Sequence, residues 1–472
     1  MSLPLGEVLP ELVLVVGTVL TLMWALFAPR RRQAATALVA LAVLGAAAVA
    51  TAVLLVDPPG STFFGTYAAD PTALWAKLII IVGTAAAVGL SVEWFASDPR
   101  HGDLYVLVLF TALGSALMAG ATDLMELTIG ILLSSAASFA LAAFHRRSPA
   151  SGEAGIKYFL VGGLANAGLL YGSALLFGLA GTTVYAGFRA GLAGADAAAL
   201  AAAFALVAVG LAFKLGAVPV HQWVPDVAHG SPAPMAALIT AIPKVGSLIA
   251  IARLAAAIGD SPVGWRPIVA VLSAATMTIG NLAALWQDDV RRLLGWSAVS
   301  MTGYGLMGVV AVGRSDIAVP SILYFLLAYV VGNLAAFGVV VELRGRSDIA
   351  SYSGLARSRP LLFAVLVVAF LSFVGIPPLG GFVAKLELFL ATIDAGYAWL
   401  AVLAVANTVV SLFYYLRVLG PGYFEAPAPT PLPVLGRWSA VATVTCAAAL
   451  IAMGLVAQPL LRAFQDGGLL PR

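Results

Sequence analysis

The chain has 472 residues, of which 61% are hydrophobic and only 10% charged, with a mean hydropathy of +1.01 and a net charge of +3. About a quarter of the residues of a soluble globular protein are charged, so the composition excludes that class. The small net charge gives no indication of nucleic-acid binding, and the single cysteine, Cys446, excludes disulfides and cysteine-based metal sites.

Apolar runs of about 20 residues recur along the whole chain, the length that a helix needs to cross a hydrocarbon layer of about 30 Å. Runs this long and uniform favour helices over a transmembrane β-barrel. The N-terminal run has no basic segment and carries Glu7 and Glu11, so we expect a retained first span and no cleaved signal peptide. The pattern predicts an all-α membrane protein with about 14 transmembrane helices, near residues 9–28, 34–56, 72–96, 103–120, 122–144, 156–181, 199–224, 232–256, 264–286, 290–312, 317–342, 359–392, 396–419 and 438–459.

Arginine is concentrated in alternate loops, which indicates the orientation of the chain. Few arginines lie in the loops that follow even-numbered spans. The positive-inside rule therefore predicts that both termini lie outside the cell membrane. The arginines in the loops after odd-numbered spans and at their edges are Arg30, Arg31, Arg32, Arg100, Arg146, Arg147, Arg291, Arg292, Arg344, Arg346, Arg357, Arg359 and Arg437.

Lysine has a different distribution: Lys157 opens the sixth span, and the other four lysines, Lys77, Lys214, Lys244 and Lys385, fall within spans. A charge at the bilayer centre costs about 2.5–3.5 kcal/mol on insertion scales. Each buried lysine therefore indicates either a compensating interaction or a function. A desolvated lysine can lose its proton near neutral pH, whereas arginine stays charged. We interpret Lys214, Lys244 and Lys385 as protonatable sites. Lys77, near the start of its span, fits a snorkelling or ion-paired side chain better.

Two of these lysines adjoin predicted helix breaks. Lys214 precedes Pro219, and Lys385 follows the sequence GIPPLGG at 375–381. Transporters use discontinuous helices to hold ions near the membrane midplane. The breaks fall in spans 7 and 12, so they predict two inverted five-helix repeats, spans 4–8 and 9–13. The predicted segments are an N-terminal three-helix segment (1–100), the two repeats (101–258 and 259–420) and a C-terminal loop and helix (421–472).

The segment PVHQWVPDVAHGSPAP at 219–234 joins spans 7 and 8 and contains His221, Asp226 and His229. The spacing of these side chains matches no standard metal site. Imidazole titrates near neutral pH, so the better interpretation is the cytoplasmic mouth of a proton path. We expect no metal site and no cofactor site in this chain.

Several motifs carry a resemblance to a known family, over nearly the whole chain. The sequence resembles the antiporter-like membrane subunits of respiratory complex I, and within them the N-subunit family of the bacterial NADH–quinone oxidoreductase. The matching stretches are FKLGAVPVHQWVPDVAHGSPAP at 213–234, LPEL at 9–12, EAGIKYFLVGGLANAGLLYGSALLFG at 153–178, GNLAALWQDDVRRLLGWSAVSMTGY at 280–304 and GIPPLGGFVAKLELF at 375–389.

The resemblance implies a role in redox-driven proton translocation, as one subunit of a translocase in the bacterial inner membrane that oxidises NAD(P)H or a related electron donor. Lys214 would then be the gated proton carrier paired with a fifth-span glutamate, Lys244 a lateral relay, and Lys385 the place where protons leave or are held. It also implies that flavin, iron–sulfur clusters and quinone are bound by partner subunits and that no redox site lies in this chain. The expected partners are other membrane subunits and the lipid bilayer, and no nucleic acid.

The sequence departs from the family pattern at three positions. Leu132 stands where the fifth-span glutamate is expected and Met301 where a histidine is expected, while Glu387 adds a carboxylate to the twelfth span. Glu126 is about 9 Å and roughly 240° away from position 132 on a helix, so only a helix shift would bring Glu126 or Asp123 to Lys214. Glu126, His221 and Glu387 are nevertheless candidate members of the proton path.

Two alternatives remain open from the sequence. One is a cation/proton antiporter subunit of the Mrp type, which the N-subunit motifs and the scarcity of acidic residues within the spans disfavour. The other is a scaffold subunit that no longer pumps protons, in which Leu132 and Met301 have replaced the functional glutamate and histidine.

Overall fold

The computed structural model describes residues 5–29, 32–98, 101–259, 264–427 and 436–470, so the predicted loop residues Arg30, Arg31 and Arg100 lie outside it. The helices are α1 (Leu9–Phe27), α2 (Ala35–Leu54), α3 (Pro71–Ser91), α4 (His101–Gly120), α5 (Leu124–Ala142), α6 (Pro149–Ala180), α7 (Phe188–Gly191), α8 (Ala197–Leu215), α9 (Trp223–Gly230), α10 (Ala233–Ile258), α11 (Trp265–Leu285), α12 (Val290–Ala311), α13 (Ala318–Glu342), α14 (Leu355–Ser358), α15 (Pro360–Val374), α16 (Gly380–Asp394), α17 (Ala398–Phe424), α18 (Arg437–Leu455) and α19 (Ala457–Phe464). Short 3₁₀ turns occur at Leu5–Val8, Phe63–Gly65, Tyr185–Gly187 and Ile349–Tyr352. The strands β1 (Gly60–Thr62) and β2 (Tyr67–Ala69) form an antiparallel hairpin.

Within the described part of the chain, 13 helices are long and apolar enough to cross a membrane. The remaining predicted span, the twelfth, consists of the two half-helices α15 and α16. The seventh span is also divided, because α8 ends at Leu215 and the chain resumes as the short helix α9 at Trp223. The prediction of an all-α fold of about 14 spans, discontinuous at spans 7 and 12, is confirmed.

Glycines end the first half of each broken span. Gly216 (φ 72°) follows α8 and Gly375 (φ 90°) follows α15, both in the left-handed conformation that a side chain with a Cβ atom disfavours. Each break then contains a cis X–Pro bond, Val218–Pro219 or Pro377–Pro378. Because α8 ends at Leu215 and α15 at Val374, their last carbonyl groups lack the next helical turn.

Helices α4–α10 and α11–α17 form the two five-span repeats. Helices α10, α12 and α13 are almost completely buried at the centre of the protein, whereas one side of α1, α2 and α18 is exposed. A lysine on a central helix is therefore shielded from lipid by protein on all sides. The residue limits of the four segments, 1–100, 101–258, 259–420 and 421–472, stay a prediction.

Some predicted details were wrong. Helix α6 begins at Pro149, capped by the Ser148 side chain, so Lys157 lies two turns inside the helix and does not open the span. The linker 219–234 contains α9, which the sequence pattern did not indicate. The β1–β2 hairpin was also not predicted, because strands of three residues are too short to show alternation.

Candidate functional site

Lys214 lies in the last turn of α8, and only 1% of its surface is exposed. Its ammonium nitrogen lies 3.2 Å from Ser135 Oγ on α5. The C-terminal end of a helix is a favourable place for a positive charge. Among the described residues no carboxylate forms an ion pair with Lys214. The hydroxyl of Ser135, which sequence reasoning missed, therefore takes the place of the expected counter-charge.

Leu132 occupies the sequence position of the expected glutamate, about one helical turn before Ser135, the residue that contacts Lys214. The Leu132 side chain is 39% exposed on the outer surface of α5, whereas Ser135, almost one turn later, is 1% exposed and faces inward. A carboxylate at position 132 would thus lie at the surface of this chain.

Glu126 lies in the first turn of α5, far along the helix from Ser135. Its electrostatic neighbours are Asp123, Glu11 and Lys77, and it does not interact with Lys214. The Asp123 carboxylate caps α5 and accepts a hydrogen bond of 2.5 Å from Thr183 Oγ1. Neither carboxylate partners Lys214 in this conformation, and Glu126 belongs to a different cluster of charges.

Lys244 follows Pro243 in α10 and points toward α12. Its ammonium donates to the carbonyl oxygen of Ala298 and, at 2.8 Å, to Thr302 Oγ1. The same Thr302 hydroxyl lies 2.8 Å from the carbonyl oxygen of Leu215, the residue next to Lys214. Thr302 therefore connects the broken end of α8 to Lys244 through two hydrogen bonds.

Lys385 reaches back from α16 to the end of α15. Its ammonium lies 3.2 Å from the carbonyl oxygen of Val374, 3.2 Å from Thr408 Oγ1 and 4.1 Å from the centre of the Tyr304 ring. Tyr304 and Thr408 also share a hydrogen bond of 3.1 Å. Lys385 and Lys214 thus occupy similar places, each at the C-terminal end of the first half of a broken span.

Met301 separates Lys244 from Lys385. One small cavity is lined by Lys244, Thr302 and Met301, and a second by Met301 and Lys385, with Phe325 and Tyr329 bordering both. Each leaves a volume of about 10 Å³ for the centre of a water molecule, close to the smallest space that holds one. The side chain of Met301 therefore lies between the two lysines and borders both cavities.

The other two predicted path residues lie apart from the three lysines. Glu387 is half-buried and makes no hydrogen bond or ion pair with any described residue. It follows Lys385 by two positions, which points its side chain about 200° away around α16. His221, in the first break, is buried with its ring centre 5.5 Å from that of Trp296.

The segment after the first break is held by ion pairs that we name the loop cluster: Lys157, Asp226, His229, Asp289 and Arg292. Asp226 pairs with Lys157 and Arg292, and His229 Nδ1 lies 3.0 Å from Asp289. Although burial alone would raise it, hydrogen bonds from His229, Ser347 and the Arg292 backbone lower the pKa of Asp289 to about 2. His221, Asp226 and His229 have separate partners, and the described residues contain no group of three metal-ligating side chains.

Comparisons with known proteins agree with this arrangement. Residues 121–411 match the family described as NADH:quinone oxidoreductase/Mrp antiporter, TM. The NADH-quinone oxidoreductase subunit N 1 of Streptomyces griseus is 41% identical over 98% of both chains. The chain belongs to this family. It is an antiporter-like, multi-pass membrane subunit.

Two solved structures show the same fold. A chain of respiratory complex I from Thermus thermophilus superposes with a TM-score of 0.82 at 30% identity, covering 97% of this chain and 100% of that one. A chain of the Mrp complex from Dietzia gives a TM-score of 0.86 at 24% identity, covering 98% and 97%. The second likeness is one of fold alone.

Proposed function

We propose that this chain is the N-type membrane subunit of a bacterial complex I-type NADH–quinone oxidoreductase and that it translocates protons through Lys214, Lys244 and Lys385. The observation that carries the proposal is the line of buried groups from Lys214 past Thr302 to Lys244, and past Met301 to Lys385. The sequence relatives named as subunit N support the assignment to this complex.

The surroundings of the three lysines suit a group that gains and loses a proton. Each ammonium has hydroxyl or carbonyl acceptors, so the charged form is stabilised by hydrogen bonds. None has a carboxylate partner among the described residues, so the neutral amine leaves no buried counter-charge behind. Arginine would not serve here, because it stays charged.

The geometry supports one order of transfer. A proton passes from the side of the loop cluster and His221 to Lys214. It then moves past the end of α8 and Thr302, whose hydroxyl accepts a hydrogen bond from Lys244, to Lys244, and across Met301 to Lys385. The end groups of the broken helices bind the charge where the chain crosses the midplane. Energy for each cycle comes from quinone reduction in partner subunits, to which we assign flavin, iron–sulfur clusters and quinone.

The same proposal gives the orientation. The loop cluster and the predicted basic loops lie on the cytoplasmic side, and both termini lie outside the inner membrane. The partners of this chain are then the neighbouring membrane subunits of the same complex, with lipid around the remaining apolar surface.

Two other functions have weaker support. The Mrp-type antiporter is supported by a likeness of fold at 24% identity. A non-pumping scaffold is favoured by Leu132 and Met301, yet the position that faces Lys214 is the polar Ser135, and the hydrogen-bonded link through Thr302 is intact.

The test is proton translocation by the whole complex in liposomes, measured as protons moved per quinone reduced. We expect Lys214→Ala and Lys244→Ala each to lower this ratio while the complex still assembles. Arg462→Ala, which removes an exposed basic side chain of α19, is the control and should leave the ratio unchanged. Normal pumping in both buried-lysine variants would overturn the proposal, and cation-dependent proton exchange by the purified chain alone would favour the antiporter.

A further inference from the structure

A second group of buried ionisable side chains lies at the end of the protein opposite the loop cluster. Lys77 on α3 and Glu11 on α1 form an ion pair of 2.6 Å, with side chains only 1% and 8% exposed. The Tyr67 hydroxyl donates to the same oxygen, Glu11 Oε1, at 2.6 Å. The Lys77 ammonium lies 4.8 Å from the centre of the Tyr67 ring. We name Glu11, Tyr67 and Lys77 the outer triad.

The outer triad is incompletely satisfied. Glu11 Oε2 is buried and has no hydrogen-bond partner, and the Lys77 ammonium makes a close contact without hydrogen-bond geometry. A buried ion pair is stable only when the remaining lone pairs and protons also find partners. One carboxylate oxygen is therefore open to a proton.

A neighbouring ion pair shows the contrast. Arg253 binds both carboxylate oxygens of Asp70 at 2.8 and 2.7 Å and also donates to the backbone oxygens of Ala119 and Leu469. Arginine keeps its charge, and this pair fixes α3 to α10 and to the C-terminal segment. The structural ion pair at this end is thus Asp70–Arg253. The outer triad instead has a lysine and a free carboxylate oxygen.

The backbone around Tyr67 fixes the position of its ring beside Glu11 and Lys77. Tyr67 lies in β2 and pairs with Ala121 at the end of α4. A Cβ atom at Gly120 would collide with the Tyr67 ring, so glycine is required at that position. Burial and the nearby Glu11 carboxylate raise the pKa of Tyr67, so its hydroxyl stays a hydrogen-bond donor.

The charges that face the outer triad come from four neighbouring groups. Glu126 interacts electrostatically with Glu11, Lys77 and Tyr67, and Asp123 acts on Glu126. Arg253 interacts electrostatically with Tyr67, but its own charge is balanced by Asp70. Glu126 thus supplies a second carboxylate that offsets the positive charge left on the triad when Glu11 is protonated.

We propose that Glu11, Tyr67 and Lys77, with Glu126 beside them, form a second proton-binding site at the outer end of the chain. A proton arriving at Glu11 Oε2 converts the neutral pair into a protonated carboxyl next to the Lys77 ammonium. Glu126 stabilises that state, and repulsion by Lys77 favours release of the proton outward. This assignment rests on the proposed function, because a proton-binding site at this end lies on an exit path only if the chain translocates protons.

The test compares single and double variants in the assembled complex. Glu11→Gln and Lys77→Met each leave one member of the pair unpartnered, whereas the double variant removes both charges and relieves that defect. We expect the double variant to assemble and to move fewer protons per quinone than the wild type. An assembled double variant with the wild-type ratio would show a structural ion pair only and would overturn the inference.

A spectroscopic measurement on the intact complex keeps the inference testable if the double variant does not assemble. Infrared difference spectra at two pH values should contain the C=O stretch of a protonated carboxylic acid, and this band should shift in Tyr67→Phe, which removes the hydrogen bond to Glu11. A spectrum in which Tyr67→Phe changes no pH-dependent carboxylic acid band contradicts the inference. Lys244→Ala separates the two proposals: if it lowers the ratio while the double variant does not, only the outer site is wrong.

Discussion

Lys385 holds its ammonium nitrogen 3.2 Å from the carbonyl oxygen of Val374, the last residue of α15. Lys214 lies in the last turn of α8, so both lysines meet the negative end of an interrupted helix. A continuous helix would bond these carbonyl groups internally. At the second break a freed backbone oxygen becomes a partner of the Lys385 ammonium, whereas at the first break the Lys214 ammonium bonds to Ser135 Oγ.

The Thr302 hydroxyl is predicted to be necessary for transfer between Lys214 and Lys244. Thr302→Val preserves shape but leaves the Leu215 carbonyl and the Lys244 ammonium each short of one partner, a cost of about 1–3 kcal/mol for a buried polar group. We expect proton translocation coupled to quinone reduction to slow while assembly persists.

The matched control is Thr84→Val on α3, because among the described residues the Thr84 hydroxyl bonds only to the carbonyl oxygen of Ile80 in its own helix. Equal rates of proton uptake in liposomes for the two threonine variants would contradict the role given to Thr302.

Met301 is predicted to limit transfer between Lys244 and Lys385. Met301→His puts an imidazole, which can accept and donate a proton, between the two small cavities that Met301 lines. We expect faster proton uptake per turnover in Met301→His. Met301→Leu, a swap of similar volume that usually costs less than about 1.5 kcal/mol, should behave as the wild type. A Met301→His complex that pumps no faster than Met301→Leu would show that this position does not limit transfer.

Carboxylates placed at two positions of α5 should have different effects. Leu132→Glu puts a carboxylate on the exposed surface of α5 and not in the buried contact between Ser135 and Lys214, so we expect the number of protons moved per quinone to stay unchanged. Ser135→Asp puts a carboxylate beside the Lys214 ammonium and should hold it in the charged form, which slows translocation. Increased proton pumping in Leu132→Glu would instead indicate that the chain lost pumping activity when leucine replaced glutamate at this position.

Asp289 predicts a pH dependence of stability. Its pKa is lowered to about 2 in the folded chain, against about 3.9 for an unperturbed aspartate. The stabilisation is therefore fully present above pH 3.9 and is lost as the pH falls toward 2, with a maximum of about 2–3 kcal/mol. Asp289→Asn should lower the thermal unfolding midpoint of the purified chain at pH 7, and the difference from the wild type should shrink between pH 4 and pH 3. A constant difference over that range would contradict the linkage.

The sequence predicted the spans and the three lysines because a charge within a long apolar run is visible without a structure. It did not identify Ser135 or Thr302, since a hydroxyl in an apolar helix more often bonds to its own helix. The position of Glu126 near Glu11 depends on how α1, α3 and α5 pack, which residue spacing along one helix does not reveal. The start of α6 was misplaced because its first two turns, PASGEAG, consist mostly of small residues and contain no large apolar side chain.

The central claim is that Lys214 and Lys244 act in series on one path. The most direct measurement is the proton-to-quinone ratio of the assembled complex carrying Lys214→Ala, Lys244→Ala and both together. Residues that act as one unit show non-additive losses, so the double variant should lose no more than the more severe single variant. Losses that add in the double variant would mean two independent routes and would contradict the proposed line of transfer.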